Sequence, residues 1–573
     1  MPVDELIAIA TGGHREIQKD WMHATAVRPF IFDDPALVWL EYHGEENGFK
    51  PDKSPYDFLG FISGKGRQFE EKWISELAST AVVVCPHDYE VRSFDKVVET
   101  TKHIYAGTPV IAKPALWAAK ERVYGVPDLI VHTSWLAAAF PQFIGQYERD
   151  SIAVNLDPPD KPGHYVALDL KFTTGLDEAD KKKDYANYST QVRIYSYMLG
   201  RLQGLMPRNA YLVTRDRVSD PMPVRITSTL GEPLDADLAA IRDHFADIKL
   251  HGAGYRPWKD SIVASNLSSD SEMWAKAKES IAVEKFPGRD PGLLYNVGPS
   301  IKPELLALGF PSLDSMLGVD PASIPFEKCR GLGPKKSTVM RAILRSNRSG
   351  NAIKPAASVL PVQKKNEFFV DFEYFTNVNV DFQKQWPTLD GHEMVFMIGA
   401  GRNTNEGWSF RSFVAGGENP EREREMFLEF IDFLHRETER TETDPSKTVL
   451  YHWTGAEVWQ GRRSSDRLAF PPDHSLRTLP WCDLQKPFLE GPGAIPGAWA
   501  FGLKELSNAL GALHPAMAVQ WPEALHAGLR AMVMGWQAYS NVAPLESAEM
   551  TLLRKYLEVD CAALAAVLRW LRA

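Results

Sequence analysis

At 573 residues the chain is long enough for about three to five domains, and 44% hydrophobic with 24% charged residues is an ordinary globular composition. A formal net charge of −10 argues against a generally basic nucleic-acid coat, though it leaves room for local basic patches or for phosphates bound through metal ions. Cys85, Cys329, Cys482 and Cys561 stand apart with no C-x-x-C spacing, which disfavours a structural zinc site, a disulfide framework and an iron–sulfur cluster.

The opening residues, "MPVDELIAIATGGHREIQKD", carry acids where a signal peptide would carry its basic region. No uninterrupted apolar run approaches the length needed to span a bilayer. The expectation is a reducing cytoplasm and no membrane partner.

Residues 64–79, "GKGRQFEEKWISELAS", predict an amphipathic helix with Phe69, Trp73, Ile74 and Leu77 on one side and Glu70 beside that stripe. In "VYGVPDLIVHT" (123–133) a Gly-Val-Pro turn leads to Asp128 at the mouth of an apolar strand. "YVALDLKFTT" (165–174) begins as a buried strand and then places Asp169 and Lys171 two residues apart, on one face of an extended chain. Alone, that pair is as well read as a solvated ion pair of little worth. Next comes a helix, "NYSTQVRIYSYMLGRLQG" (187–204), on which Gln191 and Tyr195 are four apart and share a face.

Taken together, these elements have a chemical use. Converging carboxylates cannot all stay ionised without a cation, and hard oxygen ligands suit Mg²⁺ or Mn²⁺. A lysine beside them can orient or deprotonate a water and offset charge on a phosphate. Gln191 and Tyr195 are placed to hold either the substrate backbone or the lysine.

Glu70, Gly125, Asp128, Asp169-Leu170-Lys171, Gln191 and Tyr195, with the run "QVRIYSYMLGRLQGLMPRNAYLV", resemble the RecB-like branch of the PD-(D/E)xK nuclease superfamily. The resemblance implies a restriction-endonuclease-like mixed sheet flanked by helices over residues 1–255. It also implies a metal site at Glu70, Asp128 and Asp169, with Lys171 as the catalytic lysine.

Residues 256–344 read as a small helical unit. Its end, "FEKCRGLGPKKSTVMRAILR", sets Gly331-Leu332-Gly333 before a helix, and Lys328, Arg330, Lys335, Lys336, Arg341, Arg345 and Arg348 occur from 328 to 348 with no acid. This resembles the second half of a helix-hairpin-helix, in which Gly331 and Gly333 would turn backbone N–H groups toward a phosphate. A plain helix start with a solvated basic face reads the residues equally well. Residues 345–366, rich in Ser, Pro, Gly, Ala and basic residues, are expected to be a linker.

After it, "NEFFVDFEYF" (366–375) is a strand that delivers Asp371 and Glu373 in one direction. "TVLYHWTGAEVW" (448–459) predicts a strand running into a helix with Glu457 on its first turn, and "PWCDLQKPF" places Asp483 after another short strand. A long helix from about 546 carries Tyr556 and Asp560 four apart.

This second set resembles the DEDD exonucleases of the ribonuclease H-like fold, in the form ending Tyr-x-x-x-Asp. Asp371 and Glu373 match the first motif and Tyr556 and Asp560 the last. Glu457 stands where the middle motif ends in Asp, with His452 where Asn or His is often found, and Asp483 matches a recurrent Asp that need not bind metal. The resemblance implies a metal-dependent 3′–5′ exonuclease whose tyrosine orients the attacking water. "FGLKELSNALG" (501–511) and "GWQAY" (535–539) also resemble the fusion of RecB-like and ribonuclease H-like domains.

The expectation is an α/β (α+β) chain acting on DNA at two carboxylate sites, with RNA processing or a nucleic-acid scaffold carrying a vestigial second site as alternatives. A hydrolase of small phosphate compounds is disfavoured by the basic middle unit. With no G-x-x-x-x-G-K-[ST] phosphate loop, unwinding would fall to a separate helicase, unless the substrate is already single-stranded.

Overall fold

In the computed structural model, the described residues are 1–573 except 78, 157–161, 231, 255, 257–265, 268–272, 379–392, 524 and 526–527. The Tyr165–Lys171 strand is buried from Tyr165 to Leu170, as its continuous apolar run predicts for a strand covered on both faces. It lies within a six-stranded mixed sheet ordered Ala81–Val83, Val110–Ala112, Leu129–His132, Tyr165–Lys171, Asn209–Thr214 and Met222–Arg225. Leu129–His132 runs antiparallel to it with Leu129 opposite Leu168, and Asn209–Thr214 runs parallel with Leu212 opposite Asp169. A parallel neighbour needs a crossover, and the Lys182–Gln203 helix lies within that connection. A smaller three-stranded sheet joins Met22–His23, Val123–Gly125 and Leu116–Ala118.

The second large sheet has five strands, ordered Gly407–Val414, Met394–Thr404, Asn366–Phe375, Thr448–His452 and Trp481–Asp483. Its central strand, Asn366–Phe375, pairs antiparallel with Met394–Thr404 and parallel with Thr448–His452. Side chains alternate along this strand as a period of two requires. Phe368, Val370 and Phe372 enter one apolar cluster, while Phe369 enters another with Cys561 and Leu564 of the last helix, Ala548–Arg572. Asp371 and Glu373 share the parity of Phe369. A register shift between Glu373 and Tyr374 then breaks the alternation, and Phe375 joins the cluster of the even-numbered residues. At the far end of the strand, Arg572 donates from Nη2 to Glu367 Oε1 at 2.8 Å and to the Tyr451 hydroxyl at 2.7 Å.

The chain divides into two compact units. One holds Met1–Lys50 and Ile62–Asn266, with the six-stranded sheet. The other holds Pro51–Phe61, Leu267–Asn379 and Gly391–Ala573, with the five-stranded sheet. The mixed sheets and many helices make the fold mixed α/β. The helical stretch before residue 344 shares a core with the region that follows: Leu305, Met316, Met340 and Ile343 cluster with Phe369, Tyr451 and Trp570.

The helix expected to end near 344 runs from Pro334 to Ser349 and stops at Gly350, which has a φ of 70°. Its last turn looks like loop in sequence because of its Ser and Asn residues. Ser346 is buried and donates to the Asn351 carbonyl at 2.8 Å, and Asn347 donates to the Ala498 carbonyl at 3.0 Å. Beyond it, Ile353 bridges to Ala494. The first part of the expected linker is therefore ordered and packed. No helix among the described residues is long and apolar enough to cross a membrane.

Candidate metal centres

The antiparallel register of the first sheet sets Leu129 against Leu168, so the residues just outside that pair, Asp128 and Asp169, come together. The Asp128 amide donates to Asp169 Oδ1 at 3.3 Å, and the Leu170 amide donates to Asp128 Oδ2 at 2.7 Å. Lys171 Nζ lies 2.6 Å from Asp169 Oδ2, the contact that the two-residue spacing predicts. Both aspartates are buried.

Glu70, on the Phe58–Glu76 helix, reaches this group through a residue the sequence did not single out. Lys113 Nζ contacts Glu70 Oε2 and lies 2.6 Å from Asp128 Oδ1. No periodicity marks Lys113; its signal is three-dimensional. Gln191 and Tyr195 turn to each other, with Gln191 Nε2 donating to the Tyr195 hydroxyl at 2.8 Å, both side chains being buried. Lys171 lies instead over the ring of Tyr188, 5.3 Å from its centroid.

The electrostatics follow from burial opposed by the two lysines. Burial raises Asp169 to about 7 against the pull of Lys171. It raises Glu70 to about 7 as well, with Asp128 adding to the rise and Lys113 opposing it. Burial also works to raise Asp128, but Lys113 and Lys171 hold it at about 2. Burial acts to lower both lysines, yet the carboxylates around them raise them above the ordinary value, so both stay charged. A cavity of about 530 Å³ opens beside Glu70 and Lys113, bordered by Arg67, Ile74 and Val83.

In the second unit Asp371, Glu373 and Asp560 each offer a carboxylate oxygen, and these atoms lie within 4.8 Å of one another. Asp371 and Glu373 come from the central strand ahead of its register shift, and Asp560 comes from the last helix. Tyr556, one turn before Asp560, is buried and close enough to interact with it electrostatically. Two residues unforeseen in the sequence complete the surroundings. Trp521 Nε1 donates to Asp560 Oδ1 at 2.8 Å. Lys504 sits 4.5 Å from the centroid of the Tyr556 ring and donates to the Leu525 carbonyl at 3.1 Å. Lys504 falls in "FGLKELSNALG", a run whose similarity pointed to the domain and not to a side chain.

Glu457 does lie on the first turn of the Ala456–Arg467 helix and is buried. It is near enough to Asp371 for the two to interact electrostatically, and its Oε2 is 3.2 Å from His452 Nδ1, though neither of these two buried atoms makes a hydrogen bond. It is not part of the 4.8 Å group. Asp483 Oδ1 accepts from the amides of Thr454 at 3.1 Å and Gln485 at 2.8 Å, which makes it a turn-holding residue.

Burial raises every acid here: Asp371 well above its usual range with Glu457 adding to it, Glu373 likewise with Asp371 and Asp560, Asp560 to about 8 and Glu457 to about 7. Burial lowers His452 to about 4. Acids that hold protons only because they are buried together are a donor set suited to a hard divalent cation, so the triad fits Mg²⁺ or Mn²⁺. Glu70, Asp128 and Asp169 do not form such a close group among the described residues, and Lys113 stands between Glu70 and Asp128. Their oxygen donors still suit the same ions.

Lys328, Arg330, Gly331, Gly333, Lys335 and Lys336 are all exposed. Gly331 takes a φ of 78°, the left-handed turn the glycine allows. Lys336 donates back to the Gly331 carbonyl at 3.1 Å. Arg341 leaves the basic face, because Glu327, one residue outside the acid-free stretch, accepts from it at 2.6 and 2.7 Å.

Comparison with known proteins finds no matching family model, no matching curated protein and no matching solved structure.

Proposed function

We propose that the chain is a metal-dependent nuclease that hydrolyses phosphodiester bonds of DNA at two separate carboxylate sites. The observation that carries the reading is the convergence of oxygens of Asp371, Glu373 and Asp560 within 4.8 Å, with Tyr556 one helical turn before Asp560. It is supported by the buried Asp128–Asp169–Lys171 group in the other unit and by the resemblance of both residue sets to RecB-like and DEDD nucleases.

Asp371, Glu373 and Asp560 would hold Mg²⁺ or Mn²⁺ in the second site, and Asp128 and Asp169, with Glu70, in the first. A bound divalent cation supplies Lewis-acid chemistry at the phosphate and the attacking water. Lys171, 2.6 Å from Asp169, steadies the phosphate and orients or deprotonates the attacking water. Tyr556 orients water at a strand end in the second site, where removal of nucleotides runs 3′ to 5′. Trp521 fixes the Asp560 carboxylate. The exposed basic turn around Gly331 contacts the nucleic-acid backbone. The substrate is single-stranded, or opened by a separate helicase.

One observation favours a second reading, a nucleic-acid-binding scaffold whose second site is silent. Glu457, 3.2 Å from His452, stands outside the close triad. Incubating the chain with Mg²⁺ or Mn²⁺ and 5′- or 3′-labelled single-stranded DNA, duplex DNA and RNA decides between them. Shortening from the 3′ end of DNA is the expected result. Binding without cleavage selects the scaffold, and cleavage that requires a 2′-hydroxyl moves the substrate to RNA.

A further inference from the structure

We infer that Lys113 and a divalent cation compete for the same two carboxylates, Glu70 and Asp128, so that the lysine holds the first site together until the cation displaces it. The inference rests on the metal reading of that site given above. Lys113 Nζ touches Glu70 Oε2 and lies 2.6 Å from Asp128 Oδ1, which puts one positive charge between two acids from different elements. The close carboxylate group found in the second unit has no counterpart here among the described residues, and Lys113 bridges Glu70 and Asp128 instead.

The backbone is built to hold the lysine there. Lys113 has a φ of 50°, a left-handed conformation that a side-chain-bearing residue rarely adopts. Its amide donates to the Asp128 carbonyl at 2.8 Å, and its carbonyl accepts from the Cys85 amide at 3.0 Å. The strained residue is thus fastened on both sides, one of them to the very residue its side chain pairs with. Displacement also has somewhere to go, since Lys113 and Glu70 both border the 530 Å³ cavity.

The test is calorimetric titration of Mn²⁺ into the full chain carrying Asp371→Asn and Asp560→Asn, which silence the second site, with and without Lys113→Met. Removing the competitor should tighten Mn²⁺ binding by roughly tenfold or more, about 1.4 kcal/mol per tenfold, and Lys113→Arg should return it toward the parent value. Unchanged or weaker binding in Lys113→Met overturns the inference alone. If neither the parent nor Lys113→Met binds Mn²⁺ at the first site, the metal reading falls and the inference with it. A wild-type measurement guards against a variant that misfolds. Acylation of Lys113 by a water-soluble succinimidyl ester, read by mass spectrometry, should rise when Mn²⁺ is added. Labelling that stays flat or falls overturns the displacement.

Discussion

Trp521 Nε1 donates a 2.8 Å hydrogen bond to Oδ1 of Asp560, aiming the one triad carboxylate that arrives from a helix. The tryptophan comes from irregular chain before the Gly528–Tyr539 helix, so a loop sets the direction of a helical ligand. Partners of this kind orient metal ligands and tune their affinity. Trp521→Phe keeps the ring and loses the donor. It should weaken Mn²⁺ binding at the second site by about 10–100-fold, measured by calorimetry, while Lys171-dependent cleavage is unchanged.

The two sites should fail separately. Lys171→Ala should remove one product pattern on end-labelled DNA and Asp371→Ala the other, each by at least about 100-fold, with the double variant inactive. A single change that abolishes all cleavage would mean one composite site and would falsify the two-site reading.

Without a cation the second site should make the fold sensitive to alkali. Asp560 and Glu457 titrate near about 8 and about 7 when folded, against ordinary values of 3.8 and 4.5. An acid raised by folding stabilises the folded state only while protonated. Its contribution is therefore present below about pH 4 and is lost as pH rises through 7 to 8. Thermal melts in chelator should show Tm falling from pH 6 to pH 9, Mn²⁺ should restore it, and Asp560→Asn should flatten the dependence. A metal-free Tm that rises over that range contradicts the assignment.

Gly125 lies where a Cβ would come within 2.7 Å of the Tyr195 ring and 3.0 Å of Ala24 Cβ. Tyr195 is fully buried and tied to Gln191, so it has little freedom to give. Gly125→Ala should cost about 1–3 kcal/mol by overpacking, read from urea denaturation. Gly66, in a helix with nothing within 4 Å of its would-be Cβ, is the control. Gly66→Ala should gain roughly 0.5–1 kcal/mol from helix propensity.

What sequence reading could reach depended on how far apart the partners lie. Asp169 with Lys171, Asp371 with Glu373 and Tyr556 with Asp560 are two or four residues apart, spacings that strand and helix geometry turn directly into contacts. The strand at 366–375 and the place of Glu457 on its helix were legible for the same reason. Lys113 was not, because its partners lie 15 and 43 residues away: sheet register brings it to Asp128, and the packing of the Phe58–Glu76 helix on the sheet brings it Glu70. Trp521 meets Asp560 across 39 residues of chain. The extra turn of the Pro334–Ser349 helix was hidden by Ser346 and Asn347, which take their loop-like hydrogen bonds within a packed environment. Glu327 escaped notice by a single residue, and with it the neutralisation of Arg341.

The forked grip of Arg572 on Glu367 and Tyr451 has a consequence for the triad further along the same helix and strand. Arg572 and Asp560 are separated by about three turns, roughly 18 Å, so the guanidinium acts as a gauge block that sets where the helix stops along the strand. A slip of one residue would carry Asp560 about 1.5 Å, most of a Mg²⁺–oxygen bond of about 2 Å. The placing of a proposed metal ligand is thus set by an arginine about three turns away from it.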